Sequence, residues 1–143
     1  MRSLLAALCL ALVAIPLAAT AADKSDLDAL QGDWRKTQFQ LNGTDGDADK
    51  QPSLRIRDDQ VFTLQEGKEN KDYVLKLKLD QTTNPKLLDV ILPNGGTLEG
   101  IYKLEEGRWT ICLNSDPGIK NRPTTFESPE GSKLIFAVFE KAQ

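Results

Sequence analysis

The chain reads as an all-β protein: an antiparallel up-and-down β-barrel of about eight short strands behind a short N-terminal helical turn. Three observations predict it. Apolar and polar residues alternate with period two through most of the chain, as in half-buried strands. Clusters of Gly, Pro, Asn and Asp interrupt that alternation at hairpin-length intervals. Beyond residue 22, no segment has the length and periodicity of a crossover helix, so neighbouring strands must run antiparallel.

The clearest unit is the hairpin at 97–113. Leu98, Tyr102 and Leu104 alternate with polar or small neighbours, Glu105-Glu106-Gly107 turns the chain, and Trp109, Ile111 and Leu113 alternate on the return. Upstream, Ser25 or Asp26 caps one helical turn carrying Leu27 and Leu30. The first strand spans 32–41 and stops at Asn42-Gly43, and a polar, acidic loop fills 44–52. Leu54 and Ile56 mark a second strand and 61–65 a third, with a solvated connection expected at 66–72. Residues 73–79 alternate most cleanly, Tyr73, Leu75 and Leu77 against Lys76 and Lys78, whose charges also discourage edge pairing. A fifth strand covers 87–92. The last, 133–140, is apolar on both faces: Leu134, Phe136 and Val138 are expected inside, with Ile135, Ala137 and Phe139 outside beneath the N-terminal turn. A two-sheet sandwich is the competing architecture, but its long Greek-key crossovers do not suit these short connections.

Arg2, the apolar run 4–19 and the small residues through Ala22 have the layout of a secretory signal peptide, with cleavage expected after Ala21 or Ala22. The expected division is a signal peptide at 1–22 and one β-barrel domain at 23–143, exported to the periplasm or secreted. The run is too short and too abruptly followed by charge for a membrane span. Cleavage removes Arg2 and no acid, taking the net charge from −3 to −4. Neither nucleic acid nor an anionic membrane fits that balance. Only Cys112 remains after cleavage, so no intramolecular disulfide can form.

Several segments together carry a family resemblance. Leu30-Gln31-Gly32-Asp33-Trp34 resembles the Gly-x-Trp opening of lipocalin-like barrels. In order, Leu77-Lys78-Leu79-Asp80, Asn84-Pro85-Lys86, Leu88-Asp89-Val90, Gly100-Ile101-Tyr102-Lys103-Leu104, Trp109-Thr110-Ile111-Cys112-Leu113 and Arg122-Pro123-Thr124 are similar to a lipocalin-like domain of unknown function expanded as paralogues in planctomycete bacteria. The resemblance covers almost the whole mature chain and implies a fold, without an activity to carry over. It implies that Gly32 and Trp34 form the barrel-closing motif, Trp34 lying near a late basic residue, Arg122 or Lys141.

Residues that could support chemistry are sparse. The chain has no histidine, which removes Ser-His-Asp and Cys-His catalysis and histidine-ligated haem. Cys112, between Ile111 and Leu113, reads as a packed thiol. Asp45, Asp47 and Asp49 imitate the start of a calcium loop, but Lys50 replaces the turn glycine and Ile56 the closing glutamate. Asp58-Asp59 and Glu105-Glu106 belong to turns, while Asp89 and Glu99 point outward, so no inward carboxylate pair exists for hydrolysis. The expectation is therefore a non-enzyme without cofactor or metal, and a monomer. A small apolar ligand is its first candidate partner, in an interior lined by Phe62, Tyr73, Leu75, Leu77, Val90, Tyr102, Trp109, Ile111 and Phe136. Tyr73, Tyr102 and Trp109 would be its polar handles. The alternative is a filled barrel serving as a structural or protein-interaction module of the cell envelope, its contacts on loops 44–52 and 114–123.

Overall fold

The structure is a computed structural model and describes residues 25–142. The expected signal peptide lies outside the described residues. A single turn, α1 (Asp26–Ala29), precedes nine strands: β1 (Gly32–Leu41), β2 (Thr44–Asp45), β3 (Ser53–Arg57), β4 (Gln60–Gln65), β5 (Lys68–Asp80), β6 (Lys86–Ile91), β7 (Thr97–Glu105), β8 (Arg108–Asn114) and β9 (Leu134–Lys141). From β3 onward each strand pairs antiparallel with the next, and β9 returns to pair with β1, closing an eight-strand up-and-down barrel. The two-residue β2 is an extra strand beside the end of β1.

Closure depends on β1 serving two neighbours. Gly32, Asp33 and Trp34 pair with Ile56, Arg55 and Leu54 of β3, while residues from Trp34 to Leu41 pair with β9. A bulge between Lys36 and Gln38 accommodates the bend that this change of partner requires. Gly32, at φ +110°, begins the strand in a conformation that side chains rarely adopt.

One end of the barrel is sealed by α1. The Ser25 hydroxyl caps the turn by accepting from the Asp28 N–H at 3.2 Å. Leu30 is fully buried, and the Trp34 indole N–H donates to its carbonyl at 2.7 Å. The Gln31 side chain donates to Asp58 O at 2.9 Å and accepts from Asp58 N at 2.7 Å, tying α1 to the β3–β4 turn. Asp26 accepts from the Tyr102 hydroxyl and pairs with Lys86, each at 2.7 Å. Lys141 is the late basic residue beside Trp34: its Nζ lies 5.5 Å from the ring and donates to Ala29 O at 3.2 Å.

Arg122, the other candidate for that position, lies on the outer wall. Its guanidinium donates to Leu88 O at 3.2 Å, Gly100 O at 2.7 Å and the Asp89 carboxylate at 2.8 Å. It thereby holds the long β8–β9 connection against β6 and β7. The same connection accepts from the Cys112 thiol through Glu127 O at 3.3 Å and lays Phe126 under Lys103. This covering explains why Ile101 and Cys112 are buried although they face away from the interior. On the inner face of β7, Gly100 sits close against β8, where a Cβ would strike the Cys112 carbonyl and the Leu113 side chain.

Three expectations are corrected. In β9 the inward set is Ile135, Ala137 and Phe139, while Phe136 and Val138 face outward; the β8–β9 connection covers that outer wall, and α1 instead plugs the barrel end. In β4 the inward residues are Val61 and Thr63, whereas Phe62 shares the outer face with Arg55 and Val74 and packs under Arg57. Residues 68–72 belong to β5 rather than to a loop. Opposite them β4 advances only from Phe62 to Leu64 while β5 runs from Val74 back to Glu69, and the irregularity leaves Tyr73 49% exposed.

The alternation in β5 can be tested directly. Leu77 is 6% exposed, and Lys76 is exposed to solvent. Leu77→Asp should cost several kcal/mol of a total near 5–15 kcal/mol, since its carboxylate would be buried without a partner. Lys76→Asp should stay within about 0.5 kcal/mol of the parent. Equal midpoints of the two variants in urea unfolding would contradict the assigned faces.

Candidate functional site

Inside the barrel lies an apolar cavity of about 250 Å³. Strand β1 contributes Lys36 and Phe39, β3 Leu54, β4 Val61 and Thr63, and β5 Leu75 and Leu77. Val90, Leu98, Trp109, Ile111 and Leu113 continue the wall through β6, β7 and β8, and Ile135, Ala137 and Phe139 close it from β9. Pro52, just before β3, completes the lining. The volume falls just short of the roughly 300–1,000 Å³ typical of drug-sized ligands, so it suits a compact one. A larger cleft at 65–72, about 810 Å³, is walled mainly by charged side chains and lies open at the β4–β5 turn.

Three aromatic rings set the depth of the cavity. Trp34 meets Trp109 edge-on, ring centroids 6.0 Å apart, and Trp109 packs against Phe139 at 5.1 Å. Trp34 is 1% exposed and forms the floor above Leu30. Lys36, Phe139 and Trp109 form one cross-strand row over β1, β9 and β8. Because the bulge inserts an extra residue, β1 presents both Lys36 and, three residues later, Phe39 to the interior.

Lys36 is the charged side chain of this lining. Its Nζ stands 4.6 Å from the centroid of the Phe39 ring and 5.5 Å from that of Phe139, and among the described residues it forms no salt bridge. Burial pushes its pKa down from the usual lysine value. The Trp109 indole N–H is buried and has no hydrogen-bond partner among the described residues. The unpaired indole N–H is the exception among buried polar groups, most of which are paired, while Lys36, half-buried on the same lining, has an ammonium that still reaches solvent.

Of the nine interior residues expected from sequence, Leu75, Leu77, Val90, Trp109 and Ile111 line the cavity. Phe62 and Phe136 are on the outer wall, and Tyr73 is exposed. Tyr102 is 1% exposed, but its hydroxyl serves the closed end through Asp26, and burial with that carboxylate pushes its pKa well up. Gly32 opens β1 beside Lys141, and Trp34 lies at the end sealed by α1, its indole N–H bonded to Leu30 O. Sequence reasoning missed Lys36, which alternation from the inward Trp34 would have pointed inside, and Phe39, whose inward placement depends on the bulge, and also Thr63, Ile135, Ala137 and Phe139.

The other chemistry-bearing candidates have structural partners. Asp45 accepts from Gln40 at 2.6 Å, and Asp47 caps a 3-10 turn at Ala48–Lys50 and pairs with Lys50 at 3.2 Å. Asp89 and Glu99 flank Arg122 at 2.8 and 3.8 Å. Burial raises the Cys112 pKa, which favours the unreactive thiol. Among the described residues, no group of three or more His, Cys, Asp or Glu side chains is placed to hold a metal ion.

The chain matches no protein-family model, no curated protein and no solved structure.

An interior ammonium without a carboxylate carries a stability cost that can be measured. Cation–π contacts with Phe39 and Phe139 offset part of it, at roughly 0.5–2 kcal/mol each. Since Lys36 has a lower pKa folded than unfolded, the unfolded chain binds more protons between the two values, and stability rises with pH across that window. Lys36→Met should therefore raise the urea midpoint at about pH 7, and its advantage should shrink as pH approaches 10.5, the unperturbed lysine value. A variant less stable than the parent at neutral pH, or an advantage independent of pH, would contradict this description.

Proposed function

We propose that this chain is an exported, non-catalytic, lipocalin-like barrel protein that acts as a monomer and holds one small apolar molecule inside the barrel. The observation that carries the reading is the cavity itself. Barrels of this strand number either fill their interior with side chains or hold one small ligand, and here about 250 Å³ remains between Trp109, Phe139 and the strands opposite. A closed floor beneath it, made by Leu30 and Trp34, is the arrangement expected of a cup. Export rests on the composition of residues 1–22, and the lipocalin-like assignment rests on the motifs at the start of β1 and from β5 onward.

A filled barrel acting through loops 44–52 and 114–123 would have no need for interior space, so the cavity favours the ligand reading. An apolar fluorescent probe should bind the mature protein at one saturable site and alter tryptophan emission, because it would lie against Trp109. Ala137 is 1% exposed and lines the cavity. Ala137→Phe should fill that space and abolish binding while the barrel persists, with an overpacking cost of about 1–3 kcal/mol. Absence of saturable binding to the parent protein would overturn the reading, as would undiminished binding to a folded Ala137→Phe variant.

A further inference from the structure

The lining carries more polarity than an apolar ligand requires. Lys36 brings an ammonium to an interior whose other polar side-chain groups are the Thr63 hydroxyl and the Trp109 indole N–H. Neither donor has a protein acceptor among the described residues, although nearby charges are paired elsewhere: Arg35 with Glu140, Arg55 with Asp33 and Glu69, and Lys86 with Asp26. Exposed lysines need no partner, but this one is half-buried against two aromatic faces. Trp109 is 2% exposed, so water has little access to its unpaired N–H.

We propose that the ligand is a small amphipathic acid, an apolar body bearing one carboxylate, whose head group accepts from Lys36 and from the Trp109 N–H while its body fills the chamber between Leu77, Val90, Ile111 and Leu113. The geometry supports the pairing. Lys36 and Trp109 flank Phe139 in one cross-strand row, with neighbouring strands about 4.8 Å apart, so one head group above that ring lies within reach of both side chains. From Trp109 the apolar wall continues along β8 through Ile111 to Leu113, a rise of about 13 Å at roughly 3.3 Å per residue, long enough for a short alkyl or aromatic body. A carboxylate brought into an apolar chamber without a partner would bind poorly; opposite an unpaired ammonium it gains a charge-assisted hydrogen bond and relieves the isolated lysine.

This inference rests on the ligand-binding reading, and the experiment separates the two. Decanoate and decan-1-ol share an apolar chain and differ in the head group, and calorimetric titration of the mature protein at neutral pH can compare them. Decanoate should bind at least about tenfold more tightly than the alcohol. Lys36→Met should remove that preference and leave alcohol binding in place, whereas Lys36→Arg should retain it, with tryptophan emission checking that both variants are folded. Equal affinities in the parent protein, tighter binding of the alcohol, or a preference that survives in Lys36→Met would overturn the carboxylate assignment while leaving an apolar cup intact. Binding of neither probe would overturn both readings.

Discussion

The whole structure depends on β1 pairing along both of its edges. Trp34 is the residue where this happens: it is paired with Leu54 of β3 and with Lys141 of β9. A strand bonded on one side only would leave an open sheet whose exposed edge invites association with other chains. Closure removes that edge and gives the side chains on one face a shared interior. At the junction, the Trp34 ring fills the barrel end, bonded to Leu30 and packed edge-on against Trp109. The last strand is thereby held, through Lys141, to both the first strand and α1.

Closure also shapes the interior. The change of partner along β1 comes with a bulge between Lys36 and Gln38, and the extra residue brings Phe39 to the inner face beside Lys36, where plain alternation would place Gln38. Much of the remaining polar chemistry is committed to holding the outside together. Arg122 anchors the β8–β9 connection, Gln31 and Asp26 anchor α1, and Arg55 lowers the pKa of Asp33 on the outer wall by a direct side-chain hydrogen bond. Lys36 and the Trp109 N–H stand apart from this scheme: the ammonium lies against the Phe39 and Phe139 rings, and the indole N–H has no acceptor among the described residues.

Much of this was legible in the sequence where one face of a strand is apolar and the other charged. The strand from Leu75 to Leu79 and the hairpin at 97–113 follow simple alternation, and their inward residues Leu75, Leu77, Trp109 and Ile111 are where that alternation puts them. The reading failed where both faces are apolar. In β9, six consecutive apolar residues give no parity signal, and the deciding factor is the β8–β9 connection, which buries the outer wall by contacts distant in sequence. Phe62 misled for a related reason: aromatic bulk suggested a core position, whereas the guanidinium of Arg57 covers the ring from outside. Tyr73 and Phe39 depend on local irregularities in pairing, and no periodic pattern announces a bulge.

A ligand-holding barrel requires an accessible apolar interior. Xenon enters dry cavities lined by aliphatic and aromatic groups, and it shifts the methyl resonances of the residues it touches. Under xenon pressure, methyl-labelled mature protein should show saturable shifts concentrated at Leu77, Val90, Ile111, Leu113 and Ala137, with Ile101 and Val138 on the outer wall nearly unmoved. Uniformly small shifts throughout the barrel, or shifts confined to the outer wall, would contradict an open interior.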